Sequence, residues 1–431
     1  MKQVKIGIIG FGTVGAGVAD CLLKNGALIA ARTGIEPVLA GIADLDVTTD
    51  RGVKLPPGLL TADVGRILDN PEIDIVVELV GGTTVAKDFI LRAFRAGKTV
   101  VTANKALLAK CGAEVFAAAE KSGADLGYEA SVGGGIPIIK ALREGLAGDR
   151  IRSLVGILNG TCNYILTRME NESASFDDIL QAAQAAGYAE ANPALDIDGF
   201  DTAHKAAILA SLAFGEWFRP EQMAVEGIRG LALQDIQYAA ALGYRIKLLA
   251  VIKEAEGKVQ LRVHPALIPT RSLLGHVSGV FNAIFVRGEP VGDTLYYGRG
   301  AGRDATASAV VADIIDAGLT LAHGCRGRLP AFRPHTGCAG VLPASECRSR
   351  YYLRLQVSDR PGVLALIAGV FGDSNISIAS VTQKEADSAV VPLVILTHEA
   401  READMQKALA DLRGRPEVAE KPILLRIEDL P

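Results

Sequence analysis

Lys205 stands one helical turn beyond Asp201 in the stretch Gly199-Phe200-Asp201-Thr202-Ala203-His204-Lys205, and three further acids, Glu190, Asp196 and Asp198, come just before it. Residues four apart share one face of a helix. The run Ala206-Ala207-Ile208-Leu209-Ala210 makes that helix largely buried, so a lysine leaving it needs a partner or a task. Asp201 is placed to cap the helix start near Thr202, where a short carboxylate accepts the unpaired amides of the first turn. Two readings are open. One is an ordinary ion pair at a helix start, with the other acids solvated. The other is a polar pocket whose carboxylates bind an ammonium group while a desolvated lysine handles a proton.

A second chemical feature opens the chain. Val4, Ile6, Ile8 and Ile9 form a short apolar strand that runs into Gly10-Phe11-Gly12-Thr13-Val14-Gly15 and then into a helical pattern through Val18, Ala19, Leu22 and Leu23. Strand, glycine turn and helix in that order form a dinucleotide site. Gly10 permits the tight turn, Gly12 lets the backbone approach a pyrophosphate, and Gly15 lets the helix pack close to the strand. The strand Val38 to Ala43 ends at Asp44, which is placed to accept hydrogen bonds from ribose hydroxyls, and a lengthened first helix accounts for its distance from the turn. A strand from Thr99 to Thr102 delivers Lys105 at its carboxyl end, making it a second candidate site lysine. Gly302 lies in a second glycine turn, Gly298 to Asp304, that opens another helix.

The elements that must position these groups alternate as strand and helix through the first third of the chain, which predicts a parallel sheet. A chain of 431 residues exceeds one ordinary core, so two or three domains are expected. Its 49% hydrophobic and 22% charged residues describe a folded, soluble protein. The net charge of −4 without a long basic run excludes nucleic acid as the main partner and favours small molecules. The apolar start is too short for a signal peptide, and no run is read as a membrane span. Six cysteines spread without C-x-x-C pairing suggest neither a disulfide framework nor a zinc site, so a reducing cytoplasm is expected. The last strands and helices, from Tyr352 to Ile427, follow a split βαβ, ferredoxin-like order.

Taken together, Gly10 to Gly15, Val101-Thr-Ala-Asn-Lys105, Tyr128-Glu129-Ala-Ser-Val132-Gly-Gly134-Gly-Ile136-Pro137, Asn159-Gly160-Thr161 and Gly199 to Lys205 resemble homoserine dehydrogenases over essentially the full length. The final unit resembles an ACT domain, and the whole resembles the monofunctional form. The resemblance implies a Rossmann-type nucleotide domain (residues 1–135 and 298–320), an α+β catalytic and dimerisation domain (136–297), a linker (321–350) and an ACT regulatory domain (351–431). It implies NAD- or NADP-dependent interconversion of L-aspartate 4-semialdehyde and L-homoserine, on the route to threonine, methionine and isoleucine.

By the same resemblance Glu190 and Asp196 contact the amino-acid part of the substrate, Asp201 orients its reacting end, and Lys205 and Lys105 flank the carbonyl or hydroxyl. Gly160 and Thr161 line the substrate site. Lys105 and Gly302 also approach the cofactor, joining Gly10, Phe11, Gly12, Thr13, Val14, Gly15 and Asp44. Glu129 with the carbonyls of Val132, Gly134 and Ile136 matches a monovalent cation site, with sodium as the expected ion. A homo-oligomer, dimer or tetramer, and L-threonine as effector are implied. Asn192, Cys162 and Ala43 depart from common family residues, and Ala43 in place of a cation before Asp44 weighs against an NADP-only preference. Two rivals stand beside this reading: an acyl-thioester aldehyde dehydrogenase using Cys162, which lacks a nearby histidine partner, and a non-enzymatic amino-acid sensor, against which Lys105 and Lys205 weigh.

Overall fold

The computed structural model describes residues 1–335, 338, 340–384 and 388–430. Strand β1 (Lys2–Ile9) leads through the glycine turn into helix α1 (Thr13–Thr33). Then come β2 (Ile35–Ala43), β3 (Leu60–Thr61), α2 (Gly65–Leu68), β4 (Ile75–Glu78), α3 (Val85–Arg95), β5 (Thr99–Thr102), α4 (Lys105–Ser122) and β6 (Leu126–Gly127). These strands pair in parallel in the order β3-β2-β1-β4-β5-β6. Ile6, Ile8, Ile75, Val77 and Val101 are buried in it, as a sheet covered on both faces requires. The order reverses between β1 and β4, so the crevice for a ligand opens at the carboxyl ends of those two strands.

Helix α5 (Ile138–Lys140) passes into a π-helical turn at Ala141–Gly145. It is followed by β7 (Arg150–Ile157), α6 (Gly160–Glu172), α7 (Phe176–Ala185), α8 (Ala194–Ile197) and α9 (Phe200–Phe214). The chain continues as β8 (Ala224–Val225), α10 (Leu233–Ala241), β9 (Tyr244–Ala255), β10 (Lys258–Pro269), β11 (Phe281–Glu289), β12 (Gly292–Arg299) and α11 (Arg303–His323). It ends with β13 (Arg348–Ser358), α12 (Val363–Asp373), β14 (Ile378–Gln383), β15 (Val390–Thr397), β16 (Ala400–Arg401), α13 (Glu402–Arg413) and β17 (Ile423–Ile427).

Two compact units result. The first comprises Met1–Leu154, Ala203–Gln222 and Val280–Cys338, and the second Val155–Thr202, Met223–Gly279 and Ala339–Pro431. In the first unit α11 packs on α1, where a side chain at Gly17 would collide with Arg303 and Ala307. Helices α1 and α11 are each long and apolar enough to cross a membrane by length and composition. Their apolar faces are spent here on the sheet, with Val18, Ala19, Leu22, Val310 and Ile314 in its core. The segment read as a linker, 321–350, opens in the last turn of α11, and its stretch from Leu329 to Phe332 is held on this unit: Arg143 donates to the Leu329 and Pro330 carbonyls, Tyr128 donates to the Ala331 carbonyl, and Phe332 packs against Trp217.

In the second unit β9 and β10 pair antiparallel along their whole length, β17 joins β10 in parallel, and the order continues β17-β13-β15-β14. Strands and helices from β13 to β17, leaving out the short β16, run βαββαβ. That is the predicted ferredoxin-like arrangement. A buried ion cluster ties it in: Arg354 forms a two-pronged pair with Asp235 on α10, and Tyr352 donates to the same carboxylate.

The sequence did not foresee α10 or the β11–β12 hairpin. Helix α9 starts at Phe200, directly after Gly199 at φ +90°, so Asp201 lies in the first turn rather than at the cap.

Candidate active site

The glycine turn has the shape of a pyrophosphate cradle. Gly10 adopts φ +100°, and a Cβ there would lie 2.6 Å from the Leu79 carbonyl carbon. At Gly15 a Cβ would sit 2.0 Å from the Gly10 carbonyl oxygen, so only glycine lets α1 approach β1 this closely. Gly12, by contrast, has nothing within 4 Å of where a Cβ would be. The turn is therefore closed on the protein side and open on the ligand side, with the first amides of α1, at Thr13 and Val14, following it. A cleft of about 400 Å³ runs past Gly10, Gly12, Asp44, Leu45, Val64 and Val80.

Asp44 directly follows β2 and accepts from the Phe11 and Asp46 amides, which fixes its carboxylate beside the turn with lone pairs left for hydroxyl donors. Arg51 also reaches the turn. In the structure its Nε donates to the Phe11 carbonyl at 3.1 Å and its guanidinium pairs with Asp46 at 2.8 Å, so a positive charge stands against the same turn.

Lys105 is the first residue of α4 and is half-buried. A chain of hydrogen bonds sets it there. The Glu78 carboxylate accepts from Thr102 Oγ1 at 2.7 Å and from the Val80 amide, Thr102 Oγ1 accepts from the Asn104 amide, and Asn104 caps α4 while donating to the Gly82 carbonyl. Glu78 and Asn104 were not singled out by the sequence, although an Asn directly before a lysine at a helix start is a recognisable cap.

In the second unit the organising residue is Asn159. Its side-chain oxygen caps α6 by accepting from the Cys162 amide at 2.8 Å, while its amide nitrogen donates to Asp196 at 2.7 Å and to Asp201 at 2.9 Å. One buried asparagine thus fixes a helix start and holds two carboxylates together. Gly160 is the first residue of that helix, and Thr161 donates to the Tyr188 carbonyl, pinning the loop that carries Glu190. Gln184 donates to the carbonyls of Glu190 and Ala191, and the Glu190 carboxylate itself is exposed. Asp198 is turned elsewhere, into a two-pronged pair with Arg229.

Cys162 is fully buried and its thiol donates to the Asp196 carbonyl, an environment unlike that of a nucleophile. Lys247, which the sequence did not flag, is buried on β9 and donates to Asn163 and to the Val277 carbonyl, anchoring α6 from behind; burial lowers its pKa to about 8. Lys205 lies one turn beyond Asp201 on α9 and is 7% exposed.

Glu129 is buried in the first unit, and its carboxylate accepts from the Ile139 and Lys140 amides at the start of α5. The Glu129 amide in turn donates to Asp313 on α11. Burial pushes Glu129 up to about 7, against the backbone hydrogen bonds from Lys140 and Ile139, and pushes Asp313 up to about 8, with the neighbouring Glu129 charge raising it further. Gly134 packs on the backbone of Gly300, and the Ile136 carbonyl accepts from the Ile138 amide. Gly302 adopts φ +113° at the start of α11, with open space where a Cβ would stand.

A parallel sheet with this turn at its switch point defines the class: a dinucleotide-dependent enzyme of Rossmann type, here carrying a C-terminal ACT domain. Three family models match the chain: homoserine dehydrogenase, NAD binding domain, over residues 10–129, homoserine dehydrogenase over 137–315, and the ACT domain over 351–417. The homoserine dehydrogenase of Pseudomonas aeruginosa is 46% identical, with all of both chains covered. A crystal structure of a homoserine dehydrogenase from Thiobacillus denitrificans superposes with a TM-score of 0.94 at 46% identity, covering 100% of this chain and 99% of that one. A hyperthermophilic archaeal homoserine dehydrogenase in complex with NADPH matches at 28% identity and a TM-score of 0.62, covering 74% of this chain and 98% of its own. The chain belongs to the homoserine dehydrogenase family and is an oxidoreductase.

Proposed function

We propose that the chain interconverts L-homoserine and L-aspartate 4-semialdehyde with either NAD or NADP, in the biosynthesis of threonine, methionine and isoleucine, as a cytoplasmic homo-oligomer. The observation that carries the site assignment is the Asn159 bridge. It brings Asp196 and Asp201 together next to Gly160 and Thr161, giving paired negative charge suited to an ammonium group. Glu190 and Asp196 bind the substrate's amino-acid end, and Asp201, at the start of α9, orients the reacting end.

Bound nicotinamide supplies or accepts the hydride. In the reducing direction hydride reaches the aldehyde carbon while a proton reaches its oxygen. The Lys205 ammonium donates that proton and stabilises the developing alkoxide, with Lys105 as the second cation on the oxygen. The oxidising direction reverses each transfer. For the cofactor, Asp44 favours ribose hydroxyls, while Arg51 beside the Phe11 carbonyl supplies positive charge for a 2′-phosphate. The archaeal relative's NADPH supports the second use. Sodium at Glu129, with the carbonyls of Val132, Gly134 and Ile136, would offset the cost of ionising Glu129 and Asp313 in a buried setting.

The ACT unit, residues 351–431, binds L-threonine and lowers activity. The test is nicotinamide reduction by the purified chain with L-homoserine, run with each cofactor and then titrated with L-threonine. Turnover with homoserine and its decline with threonine are expected. No turnover with either cofactor contradicts the reaction, and turnover indifferent to millimolar threonine contradicts only the regulation.

A further inference from the structure

Between Gly187 at φ +75° and Gly199 at φ +90°, the second unit carries Glu190 and Asp196 on a segment that runs over its surface. Of residues 187–196 only Ala189 is buried, so apolar burial does little to fix the place of these acids. Ties to α7 come from the Tyr188 and Ala189 amides, which both donate to the Ala183 carbonyl, and from Gln184. A second hold comes from α6.

Thr161 and Tyr164, three residues apart, share one face of α6. Thr161 donates to the Tyr188 carbonyl at 2.9 Å, and the Tyr164 ring packs on the Tyr188 ring with centroids 4.6 Å apart and planes tilted by 40°. Tyr188 is thus gripped at backbone and side chain by one face of one helix. It is otherwise 49% exposed, so the Tyr164 ring is what gives its side chain a fixed place. Tyr164 is itself fixed. Arg168, one turn on, donates to its hydroxyl at 3.1 Å with the guanidinium carbon 5.5 Å from the ring centre, and Arg168 is locked in a two-pronged pair with Glu172. Another side of α6 is anchored through Asn163, which accepts from Lys247 on β9, and Thr167, which accepts from the Gly279 amide. The helix is therefore the fixed partner, and the segment is the one being placed.

We propose that Tyr164 is a positioning residue for the substrate: by stacking on Tyr188 it fixes the segment so that the Glu190 carboxylate, two residues further on, stands where the substrate's ammonium group binds. This rests on the assignment of Glu190 to the substrate's amino-acid end. Asp196 is held independently, by the Asn159 amide and by the Cys162 thiol on its carbonyl, so the ring pair acts on Glu190. The Tyr164 hydroxyl is spent on Arg168, which leaves the ring as the part that does the positioning. Loss of the ring releases Glu190 while the Asn159 bridge and the glycine turn stay as they are. Glu190 binds the unreacting end of the substrate equally in the ground state and the transition state, so its displacement is read in KM rather than in kcat.

The test is steady-state kinetics of the full chain with L-homoserine on Tyr164→Leu, Tyr164→Phe, Tyr188→Leu, the double variant Tyr164→Leu/Tyr188→Leu and Glu190→Gln, each beside a thermal melt. Tyr164→Leu is expected to raise KM for homoserine about three- to tenfold, the range set by one aromatic pair, with kcat within about twofold and KM for the nicotinamide cofactor unchanged. Tyr164→Phe keeps the ring and should restore the wild-type KM. The double variant should have the KM of Tyr188→Leu alone, since the two rings make one contact. A wild-type KM in Tyr164→Leu, a Tyr164→Phe chain as impaired as Tyr164→Leu, or additive effects in the double variant each overturn the positioning role. So does a lowered melt with reduced kcat and unchanged KM, which marks a purely structural residue. If Glu190→Gln leaves KM for homoserine unchanged, the assignment of Glu190 fails and the positioning role fails with it. A raised KM in Glu190→Gln beside a wild-type KM in Tyr164→Leu overturns the positioning role alone.

Discussion

The Asn159 side-chain amide lies 2.9 Å from Asp201 and 2.7 Å from Asp196, and its oxygen caps α6 at the same time. Replacing Asn159 by Ala frees two neighbouring carboxylates to repel one another and removes the cap, which costs about 1 kcal/mol of stability. Activity is expected to fall about tenfold or more, with KM for homoserine rising. Steady-state kinetics beside a thermal melt separates the two effects. A variant with wild-type KM and only lowered stability would make Asn159 a cap and nothing more.

Arg51 donates to the Phe11 carbonyl while paired with Asp46, whose carboxyl is held well below its ordinary range by hydrogen bonds from Thr49 and Thr48. It is a standing cation at the edge of the glycine turn. Arg51→Ala is expected to raise KM for NADP several-fold more than KM for NAD, because only NADP carries the extra phosphate. Equal changes for both cofactors would remove the phosphate role.

Glu129 is raised from 4.5 to about 7 and Asp313 from 3.8 to about 8, both chiefly by burial. A carboxyl raised on folding contributes its full stability below the unfolded value and loses it as pH climbs through the folded one. Stability should therefore decline from about pH 4 to about pH 8. Asp313→Asn keeps an acceptor for the Glu129 amide and should flatten that decline. Sodium in place of choline in the buffer should flatten it in the wild type. Melts that vary identically with pH in sodium and choline would argue against a cation at Glu129.

Much of this was legible in the sequence and some was not, for physical reasons. The glycine turn, Lys105 at a strand end and the βαββαβ order leave strong local signals, because turn glycines and apolar periodicity act over a few residues. Asn159 was visible only as part of a motif. Its double role depends on Asp196 and Asp201, which lie 37 and 42 residues away. Asp201 was read as the cap, but α9 starts at Phe200, two residues earlier than expected, because Gly199, with its positive φ, takes the turn that starts it. The β11–β12 hairpin passed unread because no Asn-Gly or Asp-Gly turn marks it: Pro290 and Val291 stand between the strands.

The packing decides what a chain shortened to end near Ser349 would do. Such a chain lacks Arg354 and Tyr352, the partners of buried Asp235, and Glu402, beside buried Arg262. Stranding a buried charge costs about 3–5 kcal/mol, comparable to the whole stability of many domains. The shortened chain is expected to aggregate or melt far below the full one. A soluble, fully active truncation would show that these pairs are dispensable.

The most direct test is Lys205→Ala, assayed for L-homoserine oxidation with NAD and with NADP beside the wild type, with cofactor binding measured on both proteins. In the proposed mechanism Lys205 acts at the reacting oxygen, whereas the cofactor is held by the glycine turn elsewhere in the chain. Turnover should therefore drop a hundredfold or more, as for a lost proton donor, while the cofactor binds as before. A Lys205→Ala enzyme that keeps most of its turnover would contradict the proposed chemistry.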